Sequence, residues 1–208
     1  MGEIIKFPAQ ASKLGFKRVR KRGNADEKGQ LDLFPAPGAR ILNFESGLRV
    51  FEQALLLDER ADLRAAEFYA KAIEEQDCVA DAYCNLGIIE SKQGNTARAF
   101  DCFSNALKHE PRHAEAHYNL ANLYFEIDDF RLARSHYEMA VQVDASFANA
   151  FFNLALVLGI TNDFDAALVA LKRYRALVPE EEGRIAEDLL QSLRKSLASA
   201  RTPRFGNT

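Results

Sequence analysis

The stretch ADAYCNLGIIESKQGNTARAFDCFSNALKHEPRH, residues 80–113, decides the fold because it recurs. A step of 34 residues lays it over AEAHYNLANLYFEIDDFRLARSHYEMAVQVDASF, residues 114–147. A second step reaches ANAFFNLALVLGITNDFDAALVALKRYRALVPEE, residues 148–181. The shared order is a large residue (Tyr83, His117, Phe151), then Leu and a small residue (Leu86-Gly87, Leu120-Ala121, Leu154-Ala155). Next come a small residue (Ala99, Ala133, Ala167), a large one (Phe103, Tyr137, Leu171), and Ala106 or Ala140, with Tyr174 in the last unit. Pro111 and Pro179, 68 positions apart, close two of the units. A fixed period of this length marks a repeat architecture in which each unit needs its neighbours to bury its apolar face.

Each unit reads as two antiparallel helices. The small residues fall where helices cross at about 8–10 Å, and the bulky ones fill the gaps between them. Gly94-Asn95, Asp128-Asp129 and Asn162-Asp163 are turn and helix-start residues at the middle of each unit. The pattern resembles the tetratricopeptide repeat, with a bulky residue, Leu-Gly, Ala, Phe, Ala and Pro at fixed offsets. The resemblance implies an all-α fold, a right-handed α-solenoid of tetratricopeptide helix pairs.

Upstream, Ala65, Tyr69 and Ala72 keep the 34-residue step, with Asp77 in the place of Pro111. Phe51, Ala54, Leu55 and Asp58 match only if the turn after them is shortened by two residues. Residues 46–79 therefore read as a degenerate first repeat. Downstream, Ile185, Leu189, Leu193 and Leu197 form an i, i+4 stripe, expected to cap the stack. The expected organisation is a disordered basic arm at 1–43, a repeat domain at 44–181, a C-terminal capping helix at 182–200 and a tail at 201–208. About nine helices are expected.

Composition agrees. The 208 residues are 48% hydrophobic and 27% charged, ordinary for a globular protein. Three Cys, an odd number without CxxC spacing, suggest reduced thiols. No apolar run approaches the ~18 residues of a membrane helix, and the N-terminus lacks a signal-peptide layout, so a cytoplasmic protein is expected, and the reading as a whole is of a bacterial one. The net charge of −3 hides an asymmetry: residues 1–40 hold nine basic and four acidic residues, while the rest is acidic. The arm also holds Pro8, Pro35 and Pro37 and five of the eleven Gly.

Little in the chain suggests catalysis. His109, His113 and His117 are spaced i, i+4, i+8, but Pro111 interrupts any helix shared by the first two, so one core histidine and two at a turn are expected. Cys78, Cys84 and Cys102 suit small apolar positions. No metal, cofactor or small-molecule substrate is expected, and no enzyme activity.

The first helix of each unit is more informative. Asn85, Asn119 and Asn153 recur every 34 residues, just before a Leu. An amide offers a donor and an acceptor, as an extended peptide backbone requires. By repeat geometry these residues are expected to line a concave groove with Tyr118, Asn122, Phe125, Asn149 and Phe152, and with Asp81, Cys84, Ile88 and Leu156. The wording Asp81-Ala82-Tyr83-Cys84-Asn85-Leu86 resembles the asparagine ladder in the superhelix of the O-linked N-acetylglucosamine transferase, without its catalytic region. That resemblance implies a protein or peptide partner gripped by its backbone. The Lys and Arg with which chaperone-binding relatives clamp a terminal carboxylate are missing here, so a segment with apolar and aromatic side chains fits better. The bland alternative is that the amides only tie neighbouring helices together.

The arm carries one sharp motif. Gln30-Leu31-Asp32-Leu33-Phe34 resembles the short peptide by which bacterial polymerases and repair proteins dock on the sliding clamp. The alternative is that Leu31, Leu33 and Phe34 pack on the exposed first repeat and help to cap it. Lys17-Arg18-Val19-Arg20-Lys21-Arg22 could make nonspecific contact with nucleic acid. The reading is a non-enzymatic adaptor that binds an extended peptide or partner protein. The second reading is a replication or repair accessory on the clamp.

Overall fold

The structure is a computed structural model and describes residues 48–201. The described residues are all-α, with no strand. The order is α1 (Val50–Glu59), α2 (Ala65–Glu74), α3 (Val79–Lys92), α4 (Thr96–His109), α5 (Ala114–Glu126), α6 (Phe130–Val143), α7 (Ala148–Ile160), α8 (Phe164–Leu177) and α9 (Glu180–Arg201). None of the described helices is long and apolar enough to cross a membrane. The chain divides into two compact units, whose described parts are residues 48–109 and 110–201.

In the first unit α1 packs on α2, α2 on α3 and α3 on α4. Phe51, Ala54, Ala65, Tyr69, Ala72 and Ala82 form one buried cluster. Gly87 lets α3 approach α4: a Cβ there would lie 2.7 Å from Phe103 Cε1 and 3.1 Å from Cys102 Cβ. In the second unit α5 to α8 pack in sequence and α9 packs on α8. Their core joins Tyr118, Ala121, Tyr137, Ala155, Leu158, Leu171 and Tyr174 to Leu189, Leu190 and Leu193 of α9. The expected stripe on α9 contributes Leu189 and Leu193, whereas the side chains of Ile185 and Leu197 lie outside those described.

The 34-residue period is visible in the burial. Tyr69, Phe103, Tyr137 and Leu171, one step apart, are each at most 1% exposed. The alanines four positions before them, Ala65, Ala99, Ala133 and Ala167, are also buried. So are Ala72, Ala106, Ala140 and Tyr174 three positions after. The turns follow the same step. Gly94, Asp128 and Asn162 are left-handed, with φ of +81°, +59° and +63°. In each turn the next residue's N–H bonds back to a carbonyl five positions earlier: Asn95 to Glu90, Asp129 to Tyr124 and Asp163 to Leu158. This is the Schellman closure, which satisfies the last carbonyls of the first helix. The following helix starts at once: Asp129 Oδ1 accepts from Leu132 N–H, and Asp163 Oδ1 from Ala166 N–H.

The first helix pair departs from its expected outline. Its turn is not shortened; five residues, Arg60–Arg64, join α1 to α2, against three between α3 and α4. Ala61 takes the left-handed position, at φ +54°. The side chain of Asp62 then accepts from the Arg64 backbone N–H and guanidinium, forming a local turn where the helix would otherwise begin. That hydrogen bonding holds the Asp62 carboxyl down at about 2.

Candidate peptide-binding face

The recurrent asparagines are enclosed. Asn85, Asn119 and Asn153 are each 0% exposed. Asn85 Nδ2 donates to Tyr69 Oη at 3.2 Å, and Tyr69 Oη donates to Asp58 Oδ2 at 3.3 Å. In the second unit Asn153 Nδ2 donates to Tyr137 Oη at 3.4 Å, to Asn122 Oδ1 at 3.2 Å and to Tyr118 Oη at 3.3 Å. Tyr137 Oη itself donates to Asn122 Oδ1. Thus two of the three amides reach the phenol sixteen residues earlier, and each ties the first helix of one repeat to the preceding pair. Sixteen residues before Asn119 stands Phe103, which has no hydroxyl.

Burial explains why these groups bond one another. A phenol or amide taken from water without a partner costs roughly 1–3 kcal/mol. The same desolvation pushes the Tyr118 phenol up to about 12 and the Tyr137 phenol well above its ordinary value. Both phenols are therefore neutral donors and acceptors at physiological pH.

The other residues expected on the groove divide in two. Tyr118, Asn122 and Phe152 are buried at 5% exposure or less, as are Cys84 and Ile88. The Tyr118 ring lies against Phe147 at 4.8 Å and Phe152 against Tyr174 at 5.1 Å. Asp81, Phe125, Asn149 and Leu156 keep partial exposure. Phe125 on α5 meets Phe130 edge-on at 5.5 Å. Asn149, in the first turn of α7, borders a cavity of about 250 Å³ with Glu115, Asp144, Ser146, Phe147 and Ala148. Asp144 Oδ1 accepts from the Ser146 N–H and hydroxyl, which shapes the rim. Asn149 was expected on the groove; the rest of this rim, from the ends of α5, α6 and α7, escaped the sequence reading, although Glu115 stands one 34-residue step before Asn149.

The histidines are structural in their contacts. His113 is buried and caps α5, its Nδ1 accepting from Ala116 N–H at 3.1 Å. His117 Nε2 lies 3.1 Å from the Pro111 carbonyl, and its Nδ1 lies 3.0 Å from His136 Nδ1. A carbonyl can only accept, so His117 carries its proton on Nε2 and His136 donates from Nδ1. Sequence reading missed His136, which is no part of the repeat pattern. His109 is exposed and stacks on Tyr83 at 5.7 Å. No disulfide joins the three cysteines, and burial raises Cys102 to about 11. Gln30–Phe34 and Lys17–Arg22 lie outside the described residues.

Family models described as tetratricopeptide repeat match residues 78–146 and 120–182, together about half of the chain. The mouse (Mus musculus) tetratricopeptide repeat protein 8 is 30% identical over 125 residues, 60% of this chain and 24% of its own length. Anaphase-promoting complex subunit 3 of Schizosaccharomyces pombe is 28% identical over 113 residues, 54% of this chain and 17% of its own. The matched stretch thus spans a quarter or less of these relatives. Among solved structures, the first tetratricopeptide domain of Spaghetti (RPAP3), bound to an HSP90 peptide, superposes with a TM-score of 0.52. It is 24% identical and covers 57% of this chain and 93% of that one. The MamA protein superposes with a TM-score of 0.54 at 19% identity, over 73% of this chain and 87% of that one. With the 34-residue step in sequence, burial and turn geometry, these matches establish that the chain belongs to the tetratricopeptide repeat family.

Proposed function

We propose that the chain is a non-enzymatic adaptor that binds an extended peptide or a partner protein. In this reading the ligand lies over α5 and α7, in contact with Phe125 and Asn149. The observation that carries it is the cavity beside Asn149: an amide, two carboxylates and an aromatic wall converge where the repeat leaves helix ends open. Glu115 and Asp144 suit the N–H groups of a peptide backbone or an ammonium group, and Phe147 and Phe125 suit an apolar side chain. The enclosed Tyr118, Asn122, Tyr137 and Asn153 then act as positioning residues that hold α5 against α7. A non-catalytic role is supported by the raised thiol of Cys102 and by histidines engaged in capping and packing. A related fold binds a peptide in the Spaghetti (RPAP3) domain, which supports the same class of partner.

The test is crosslinking capture with mass spectrometry on the full chain, repeated with Phe125→Ala/Asn149→Ala. The partner captured by the wild type should fall at least tenfold while the helical signal and melting temperature hold. Undiminished capture by this variant would move the docking site off α5 and α7.

A further inference from the structure

We propose that Leu31-Asp32-Leu33-Phe34 of the chain's own arm docks in the cleft between α1 and α2, capping the first repeat in cis. The cleft has a volume of about 110 Å³ and is lined by Gln53, Leu56, Leu57, Arg60, Arg64 and Phe68. That size is too small for a helix and suits apolar side chains of an extended segment.

The first helix pair shows why something should cover it. Leu55-Leu56-Leu57 runs three leucines in a row through α1, and no helix can turn three successive residues to one face. Phe51, Ala54 and Asp58 form its buried face. Leu56, Leu57 and Phe68 stay half-buried around the cleft, and Leu63 beside it is 91% exposed. Further along, α3 packs on α2 and α7 on α6, while α1 has no described helix before it, and the outer face of such a repeat needs a cover.

Three observations select the arm as that substitute. The chain enters α1 beside the cleft: Gln53, a cleft wall, donates from Nε2 to the Leu48 carbonyl at 2.8 Å. Phe34 lies fourteen positions before Leu48, a span of up to ~50 Å when extended, while α1 is only ~15 Å long. The segment itself carries one charge, Asp32, opposite in sign to Arg60 and Arg64, which rim the cleft. Asp32 would join the pair that Arg64 already makes with Asp62. Docking in cis would bury the same Leu33 and Phe34 that any external groove would read, so the arm would be either a cap or a bait, never both at once.

Hydrogen exchange on the full chain tests this. Amides of residues 30–34 should exchange at least tenfold more slowly than in the isolated peptide. Leu33→Ala/Phe34→Ala should abolish that protection and speed exchange at the end of α1. Arg60→Glu/Arg64→Glu should weaken it, and adding Asp32→Lys should restore it. A photo-crosslinker at Leu56 should link to residues 30–34 within one chain. Exchange at the isolated-peptide rate in the wild type would overturn the proposal. So would links formed only between chains, which would mean exchange of arms between two copies.

Discussion

The Phe51 backbone N–H donates to Asp77 Oδ2 at 2.9 Å, so a helix start is capped by a residue 26 positions downstream. Asp77 also takes the Arg49 guanidinium and is only 7% exposed. In the regular repeats this place is held by a helix-ending Pro or by Ala. Here the side chain fastens α1, the first of the described helices. Asp77→Ala should cost about 1–3 kcal/mol, since it removes a cap and leaves a buried N–H without its acceptor. Urea denaturation measures the loss, and exchange at Phe51 should accelerate most. Unchanged stability would show that the cap contributes nothing.

Gly87 sets the approach of α3 to α4. In Gly87→Ala the new Cβ would meet the buried Phe103 ring at 2.7 Å, and a ring edge packed on all sides has nowhere to go. A loss of about 1–3 kcal/mol is expected. The later repeats carry Ala121 with Tyr137 and Ala155 with Leu171, so Gly87→Ala/Phe103→Leu should recover part of that loss in a double-mutant cycle.

Ala61 adopts a left-handed backbone that Gly94, Asp128 and Asn162 reach with residue types better suited to it. Ala61→Gly should stabilise the chain by about 0.5–1 kcal/mol, read as a rise in the urea midpoint with an unchanged slope.

Asn153→Ala should destabilise the second unit by about 1–3 kcal/mol, because Tyr118, Asn122 and Tyr137 lose a shared donor inside the core. Asn149→Ala, at a half-buried rim, should leave the melting curve in place. The contrast separates amides that hold the helices from the one proposed to meet a ligand.

Stability should fall on mild acidification. Burial lowers His136 to about 4 and also lowers His117, each with the other or His113 as an opposing neighbour. Both are neutral when folded, and the unfolded chain takes up protons first, near pH 6.5. The stabilisation is therefore complete above about pH 6.5 and is lost as pH falls towards 4. Stability should fall measurably between pH 7 and 5, chiefly through His136. Denaturation at several pH values measures the slope, and His136→Phe should flatten it.

The 34-residue step contained the helix order, the buried alanines, the large core residues and the turn positions. These follow from local chemistry: small residues where helices cross, and Gly, Asn or Asp where the backbone turns left-handed. Tertiary structure alone decided what the polar members of the pattern do. Asn85 and Asn153 stand where repeat geometry suggested an open groove, yet each is enclosed. A phenol from the preceding pair, Tyr69 or Tyr137, sits in the core and needs a hydrogen-bond partner. The pairing of His117 with His136, the capping of α1 by Asp77 and the cavity beside Asn149 were illegible for a related reason. Which residues meet at each depends on how whole helices pack, and the repeat pattern does not state that.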